Sequence, residues 1–441
     1  MRSTLHLIAT RAWENNDASG MLNLTPMPVE KSRFDSLSPL KESEFRVFIA
    51  ARFFYIMALR MVATVVAYQL FQITRSSFSI GLAGLSEFVP VFLLALYAGY
   101  IIDRSDKRTL LLKGILSYSF CVVGLIIVTT PYVEQRLGAG VLPLLFYTII
   151  FFTGIIRSFA GPTSSAIIAQ LVPRGILHFA ANISSTTWLS ASILGHASAG
   201  FFIGWFGVNA TFCIILGYIL LASFFISRIK KKPVVHTATD VKAWESVKEG
   251  LRYVFRHKVM LGAISLDLFA VLFGGAVALV PEFADRILQV GPQGFGFLNA
   301  AIDIGSGAVL LFTTFFPLRQ KQGKILMFAV TGFGLCIIVF GLSTIYWMSF
   351  MALLIAGMLD GISVVIRGTI LQLTTPDEMR GRVSAVNSMF VNSSNELGQF
   401  ESGFTSRLFG TVPAVLFGGS MTILVVIITW FRAPGLRKFE Y

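Results

Sequence analysis

The stretch AGYIIDRSDKR, Ala98–Arg108, sets Asp103, Arg104, Asp106, Lys107 and Arg108 into six consecutive positions. Little but Leu, Ile, Val, Phe and Gly lies on either side of it. So dense a charge cluster between two apolar runs reads as a short turn held in water between two segments that avoid water.

The whole chain has that character. Of its 441 residues 55% are hydrophobic and 13% charged, with a mean hydropathy of +0.73. A soluble domain carries about 25% charged residues, and a chain this size cannot bury so much apolar surface away from water. A bilayer is the alternative solvent. A spanning helix needs about 20 mostly apolar residues, and in lipid the backbone must satisfy its own hydrogen bonds, which favours helices. Such runs fall near 47–73, 78–101, 110–130, 142–166, 180–204, 207–227, 259–281, 293–317, 324–343, 346–372, 384–407 and 413–431. The fold class expected is an all-α membrane protein with twelve transmembrane helices.

The formal net charge is +13. Basic residues concentrate in alternate loops: Arg104, Lys107, Arg108, Arg174, Arg228, Lys230, Lys231, Lys232, Lys242, Lys248, Arg252, Arg256, Lys258, Arg319, Lys321, Lys324, Arg380 and Arg382. The other loops hold Arg75, Arg136, Arg286 and Arg407. By the positive-inside rule the first set is cytoplasmic, with both termini. The basic balance is then topological, and nucleic acid is not an expected partner. Cys121, Cys213 and Cys336 fall inside spans and read as small buried hydrophobes.

The expected organisation is a mobile cytoplasmic tail over 1–45, a six-helix bundle over 46–228, a linker over 229–258, a second bundle over 259–432 and a tail over 433–441. The first 45 residues lack the apolar core of a secretory signal, and Met21 and Met27 are candidate alternative starts. The linker opens on RIKKKP (228–233). It then places Val241, Trp244, Val247, Leu251, Val254 and Phe255 at helical spacing. That fits an amphipathic helix on the membrane surface or a solvated linker helix. An internal repeat supports the six-plus-six division. ANISSTTWLSASILGHASAG (181–200) aligns with SAVNSMFVNSSNELGQFESG (384–403) in one register, pairing Ser185 with Ser388, Ser190 with Ser393, Gly195 with Gly398 and Gly200 with Gly403.

Ionisable residues inside spans are costly and usually face a cavity or a partner. Here they are Arg52 and Arg60 in span one, Glu87 in two, Arg157 in four and His196 in five. The second half has Asp267 in span seven, Asp303 in eight, Asp360 and Arg367 in ten, and Glu396 and Glu401 in eleven. Spans three, six, nine and twelve carry none in their interiors, as if each triplet lent two helices to a polar cavity and turned one to lipid. Each charge has a structural alternative. Arg52 and Arg367 can snorkel, Asp303 can cap or kink its helix, His196 can be a core histidine, and the rest can pair. Asp360 and Arg367, seven apart, share one helix face.

No GxxxxGK[ST] loop, HExxH or metal-spaced Cys/His set is present, so ATP, a metal and an enzymatic cofactor are not expected, nor is enzyme activity. An ion gradient remains as the energy source. Carboxylates that alternate between burial and water are suited to carry a proton, and Asp267, Asp360, Glu396 and Glu401 are candidates.

The opening stretch resembles the loop motif between helices two and three of the major facilitator superfamily, Gly-x-x-x-Asp-Arg followed by a basic pair. Gly99, Asp103, Arg104, Lys107 and Arg108 match, and Asp106 replaces the usual small residue. That variant, with Ala51–Leu82, Ala263–Ala284 and Thr374–Gly403, is similar to the branch holding enterobactin exporters and macrolide efflux proteins. The resemblance spans roughly Phe45–Phe431. It implies two pseudo-symmetric six-helix bundles and alternating access between them. It also implies a conformational latch in which the Asp103 loop meets the inner end of helix eleven, where Arg380 and Arg382 stand. Two departures matter. Leu318 takes the place of the Asp in the second-half copy, FFPLRQKQGK, and Gly195-His196 replaces the Gly-Pro of many antiporters.

The expectation is a monomeric secondary active transporter of the bacterial inner membrane. It would export an organic solute, a siderophore or a hydrophobic drug-like compound, in exchange for protons. A same-fold importer, or a membrane sensor or scaffold that transports nothing, stays open.

Overall fold

The computed structural model describes residues 35–138, 140–232, 243–316, 318 and 320–440. The proposed starts Met21 and Met27, the linker residues Val241 and Lys242, the side chains of Trp244 and Val247, and Arg319 lie outside these. Pro39–Tyr441 form one unit.

Among the described residues twelve long helices follow one another: α1 Ser43–Thr74, α2 Ser77–Arg104, α3 Lys107–Val128, α4 Val141–Ala166, α5 177–206 and α6 208–227. After the linker helix Ala243–Arg256 come α7 Lys258–Gly274, α8 Pro292–Phe315, α9 Gln322–Leu342, α10 Tyr346–Thr374, α11 Arg380–Phe409 and α12 Thr411–Arg432. Short 3₁₀ and π turns carry α7 on to Ile287. Among the described residues ten segments are long and apolar enough to cross a membrane. One of these, Arg174–Ser227, holds both α5 and α6. The one long helix left out, α11, is too polar, being studded with Ser, Asn and Glu.

Backbone breaks divide the helices where the chain takes a positive φ that only glycine adopts without strain. α5 and α6 part at Gly207, with φ 81° and ψ 173°. α11 and α12 part at Gly410, with φ 89° and ψ 164°. These glycines are related by the register that pairs Gly200 with Gly403, so the repeat extends past the stretch where side chains reveal it.

Packing obeys the same register. Gly195 on α5 lies against Met57 and Arg60 of α1, and Gly398 on α11 lies against Val271 and Leu272 of α7. Gly200 meets the backbone of Pro292 and Gly296 on α8, and Gly403 meets that of Ser77 and Phe78 on α2. Two such seams, α2 with α11 and α5 with α8, join the bundles. The extensive contacts of α3, α9 and α12 stay within their own bundles, as their lack of internal charge suggests. Each bundle has its own apolar interior, around Phe48, Met61, Phe146 and Phe212 in the first and Phe283, Phe295 and Phe340 in the second.

Call the side bearing the linker the linker face and the other the far face. The seams run from the far face to mid-depth. On the linker side α11 exposes Ser384, Ser388, Asn392 and Asn395 at helical spacing, and α5 exposes Asn182, Ser185 and Thr186. Such groups are expensive in hydrocarbon, so they line a cleft that opens toward the linker face. The linker helix packs Val254 and Leu251 against Met260, Ile264, Val383 and Val386. That part of its apolar side is covered by α7 and α11 instead of lipid, because α11 presents Val383 and Val386 there.

Candidate functional site

The charges of AGYIIDRSDKR are spent mostly on tying helix ends together. Asp106 is the N-cap of α3, accepting from the backbone N–H of Arg108 and Thr109, each at 3.3 Å. Its carboxylate also accepts from the Thr109 hydroxyl at 2.5 Å and the Lys232 N–H at 3.2 Å. Burial pushes the Asp106 carboxyl up, but these hydrogen bonds outweigh it and hold the group below its ordinary value. Arg108 donates to the carbonyls of Ser227, at 2.6 Å, and Ile229, at 3.0 Å, closing the end of α6. Lys232 pairs with Glu44 at the start of α1. Arg104 stacks on the Tyr100 ring at 4.1 Å, and Lys107 begins α3. Asp103 is exposed, with no ion pair among the described residues. Arg382 pairs with Glu249 of the linker helix at 2.5 Å. A Cβ on Gly99 would meet open space. In this conformation the latch residues are therefore not assembled.

At mid-depth the buried charges form three groups. In the first, Arg157 of α4 pairs with Glu87 of α2 and lies 3.9 Å from Glu396 of α11, so one guanidinium joins carboxylates of both bundles. Gly154 permits this approach, since a Cβ there would lie 2.5 Å from the Glu87 carbonyl oxygen. The Arg157 side chain is 40% exposed, which opens the group to the cleft.

The second group crosses the other seam. His196 Nδ1 is 2.6 Å from Thr64 Oγ1 on α1, and its Nε2 is 3.8 Å from Asp303 Oδ2 on α8. Asp303 accepts from Ser192 Oγ at 2.5 Å, so it is engaged by α5 and neither caps nor breaks its own helix. Arg60 stacks over Trp188 at 4.8 Å. Thr64 and Ser192 are not among the residues expected from the sequence. The signal for Arg60 is its place in span one; nothing in the sequence distinguishes the two hydroxyl residues.

The third group stays inside the second bundle. Asp267 of α7 pairs with Arg367 of α10, the residues being 4% and 7% exposed, and Arg367 Nε also donates to Ser363. Arg367 therefore does not snorkel. Asp360, Asp267 and Ser363 line a small cavity beside the pair. Arg157, Asp267, Asp360 and Glu396 thus do not share one site. Arg52 donates to Ser164 of α4 at 2.5 Å and stays within the first bundle. Glu401 accepts from Thr405, one turn along its own helix, and joins no group.

A further lattice lies at the far face, where the sequence suggested only loop charges. Arg75 pairs with Asp285 at 2.8 Å, and Ser77 Oγ donates to buried Glu282 at 2.6 Å. Arg286 bonds both Glu282 and the Arg75 carbonyl. These contacts seal the two bundles to each other at that end.

Two pseudo-symmetric six-helix bundles, closed at one face, open at the other and joined at mid-depth by buried charges, define a transporter of the major facilitator superfamily, not an enzyme. The chain belongs to the transmembrane secretion effector family, whose model matches residues 34–440. It is similar to YfiS, an uncharacterised MFS-type transporter of Bacillus subtilis, with 24% identity over 375 residues, 81% of this chain and 85% of that protein. It is also similar to the enterobactin exporter EntS of Escherichia coli, with 22% identity over 410 residues, 92% of this chain and 95% of that protein. Among solved structures a mutant of the nucleoside transporter NupG aligns with a TM-score of 0.71 at 11% identity, over 88% of this chain and 99% of that one. A D-xylose-proton symporter aligns at 0.70 and 14% identity, over 90% and 99%. At these identities the likeness to the solved structures is one of fold.

Proposed function

We propose that the protein exports an organic solute from the cytoplasm across the bacterial inner membrane in exchange for protons, as a monomer. The linker face, with its basic loops, is cytoplasmic. The bundles 46–228 and 259–432 rock about the mid-depth charges. The observation that carries this reading is the charge count where the bundles meet. Arg60 and Arg157 stand against Glu87, Glu396 and Asp303, with His196 among them. With a neutral histidine, one negative charge is left over in a medium of low dielectric, and a proton balances it. Driving a proton through 100 mV supplies about 2.3 kcal/mol, enough to sustain a solute gradient of roughly fifty-fold.

Resemblance to EntS favours export and an enterobactin-like siderophore as the first substrate to test, with hydrophobic drugs next. The test is a substrate panel in proteoliposomes loaded at a pH different from the bath, with a pH dye reporting proton movement. The expected result is proton flux that depends on one compound and reverses with the imposed gradient. Accumulation in the same direction as the proton identifies an importer. No coupled flux with any compound, with Asp303→Asn behaving as wild type in cells, points to a sensor or scaffold.

A further inference from the structure

The leftover charge has a defined address. Thr64 donates its hydroxyl hydrogen to the Arg60 carbonyl at 3.0 Å. With the hydroxyl hydrogen assigned to that carbonyl, the 2.6 Å contact to His196 Nδ1 is an Nδ1–H donating to Thr64 Oγ1. In that tautomer Nε2 carries a lone pair and no hydrogen, and it lies 3.8 Å from the Asp303 carboxylate. Two acceptors face each other across the α5–α8 seam, and a proton between them turns repulsion into a charge-assisted hydrogen bond. The same carboxylate oxygen already accepts from Ser192. The backbones beside it touch at Gly200 and Gly296, so little stands in the way of closure. The other charged groups bearing on the pair are Arg60 from α1 and Asp360 from α10. Arg157, Glu87 and Glu396 bear in turn on Arg60.

We propose that His196 and Asp303 together form the proton site, and that the proton shared between them holds the far face shut. This deepens the antiport reading and rests on it for direction. With the far face open, the pair takes a proton from water on that side. The proton bonds α5 to α8 and closes the seam. The proton then leaves through the linker-side cleft, and the weakened seam lets a loaded transporter open outward. A ligand biases two states only by binding them unequally, and here the proton bridges the pair in one state alone. The Gly195-His196 departure from the Gly-Pro pattern thereby acquires a function: the ring occupies the place where the seam is made.

The test needs no substrate. Spin labels at Tyr132→Cys and Ile345→Cys, both exposed residues flanking the far face, report its opening in a background whose three native cysteines are replaced by Ser. Between pH 8 and pH 4 the closed-to-open ratio of the parent should rise about tenfold or more. His196→Gln and Asp303→Asn should each flatten that rise to within about twofold, while Asp303→Glu and Glu401→Gln should keep it. If Asp303→Asn does not fold, His196→Gln decides alone. A parent that ignores pH, or a folded His196→Gln with the full response, overturns the proposal. Failure of the substrate panel with this response intact would instead reject the antiport reading.

Discussion

Asp267 and Arg367 are the most deeply buried opposite charges in the second bundle. Removing one partner of such a pair leaves an uncompensated charge, at a cost of about 3–5 kcal/mol. Asp267→Ala and Arg367→Ala should each lower thermal stability in detergent accordingly, and the double variant should lose less than the two together. Additive losses would show that the two do not act as a pair. Asp106 gives a milder, pH-dependent case. Its loss as an N-cap in Asp106→Ala should cost about 1 kcal/mol at neutral pH. Because its folded carboxyl sits below the ordinary range, that stability is fully present above the range and fades as acid protonates the folded form. The gap between wild type and variant should be flat from pH 8 to 5 and close below about pH 4. These two cases mark what is legible in the sequence. The buried charges announce themselves because each is costly in an apolar run. Their partners do not, since the rotation of each helix decides whether Asp267 meets Arg367 or Asp360. Glu282 and Asp285 escape notice because a short turn at a span's end looks like a loop until α7 is seen to continue to Ile287.

The elements are legible where apolar length defines them, and their boundaries less so. Spans five and six are separable only by a short gap, and the device separating them, Gly207, carries no side chain to signal it. Its counterpart Gly410 shows that the break is part of the duplicated unit. Both sit near φ +85° with ψ extended, a region closed to other residues and costing about 1–3 kcal/mol to occupy. Gly207→Ala and Gly410→Ala should therefore lower stability by similar amounts, measured by thermal unfolding of each purified variant. A loss at one position alone would mean that the two breaks bear unequal strain. α11 has the opposite character. Its polar residues weaken it as a membrane span and at the same time mark it as cleft-lining, and the repeat makes it recognisable as the partner of α5.

At the scale of the molecule, the far face is sealed by the Arg75–Asp285 and Ser77–Glu282 contacts while the linker face stands open. Alternating access requires the reverse state, in which the linker-face ends of α2 and α11 approach. Arg382 is held by Glu249 of the linker helix in the present state, and Asp103 stands exposed at the end of α2. The resemblance to the superfamily motif assigns Asp103 the basic residues of α11 as partners, so Glu249 is a competitor for one of them. Two substitutions should then act in opposite directions. Glu249→Gln releases Arg382 and should favour the linker-closed state; Asp103→Asn removes the partner and should disfavour it. Labelling of a cysteine placed at exposed Asn392 by a membrane-impermeant thiol reagent, in vesicles that present the linker face, reads the difference. Labelling should slow in Glu249→Gln and quicken in Asp103→Asn. Because Leu318 stands where the second half would carry its own Asp, changes at Leu318 should leave the rate near that of the parent. Equal effects at Asp103 and Leu318, or no response to Glu249→Gln, would remove the one-sided latch and leave Asp106 and Arg108, which cap and tie helix ends in the state seen, as the whole meaning of the charged turn.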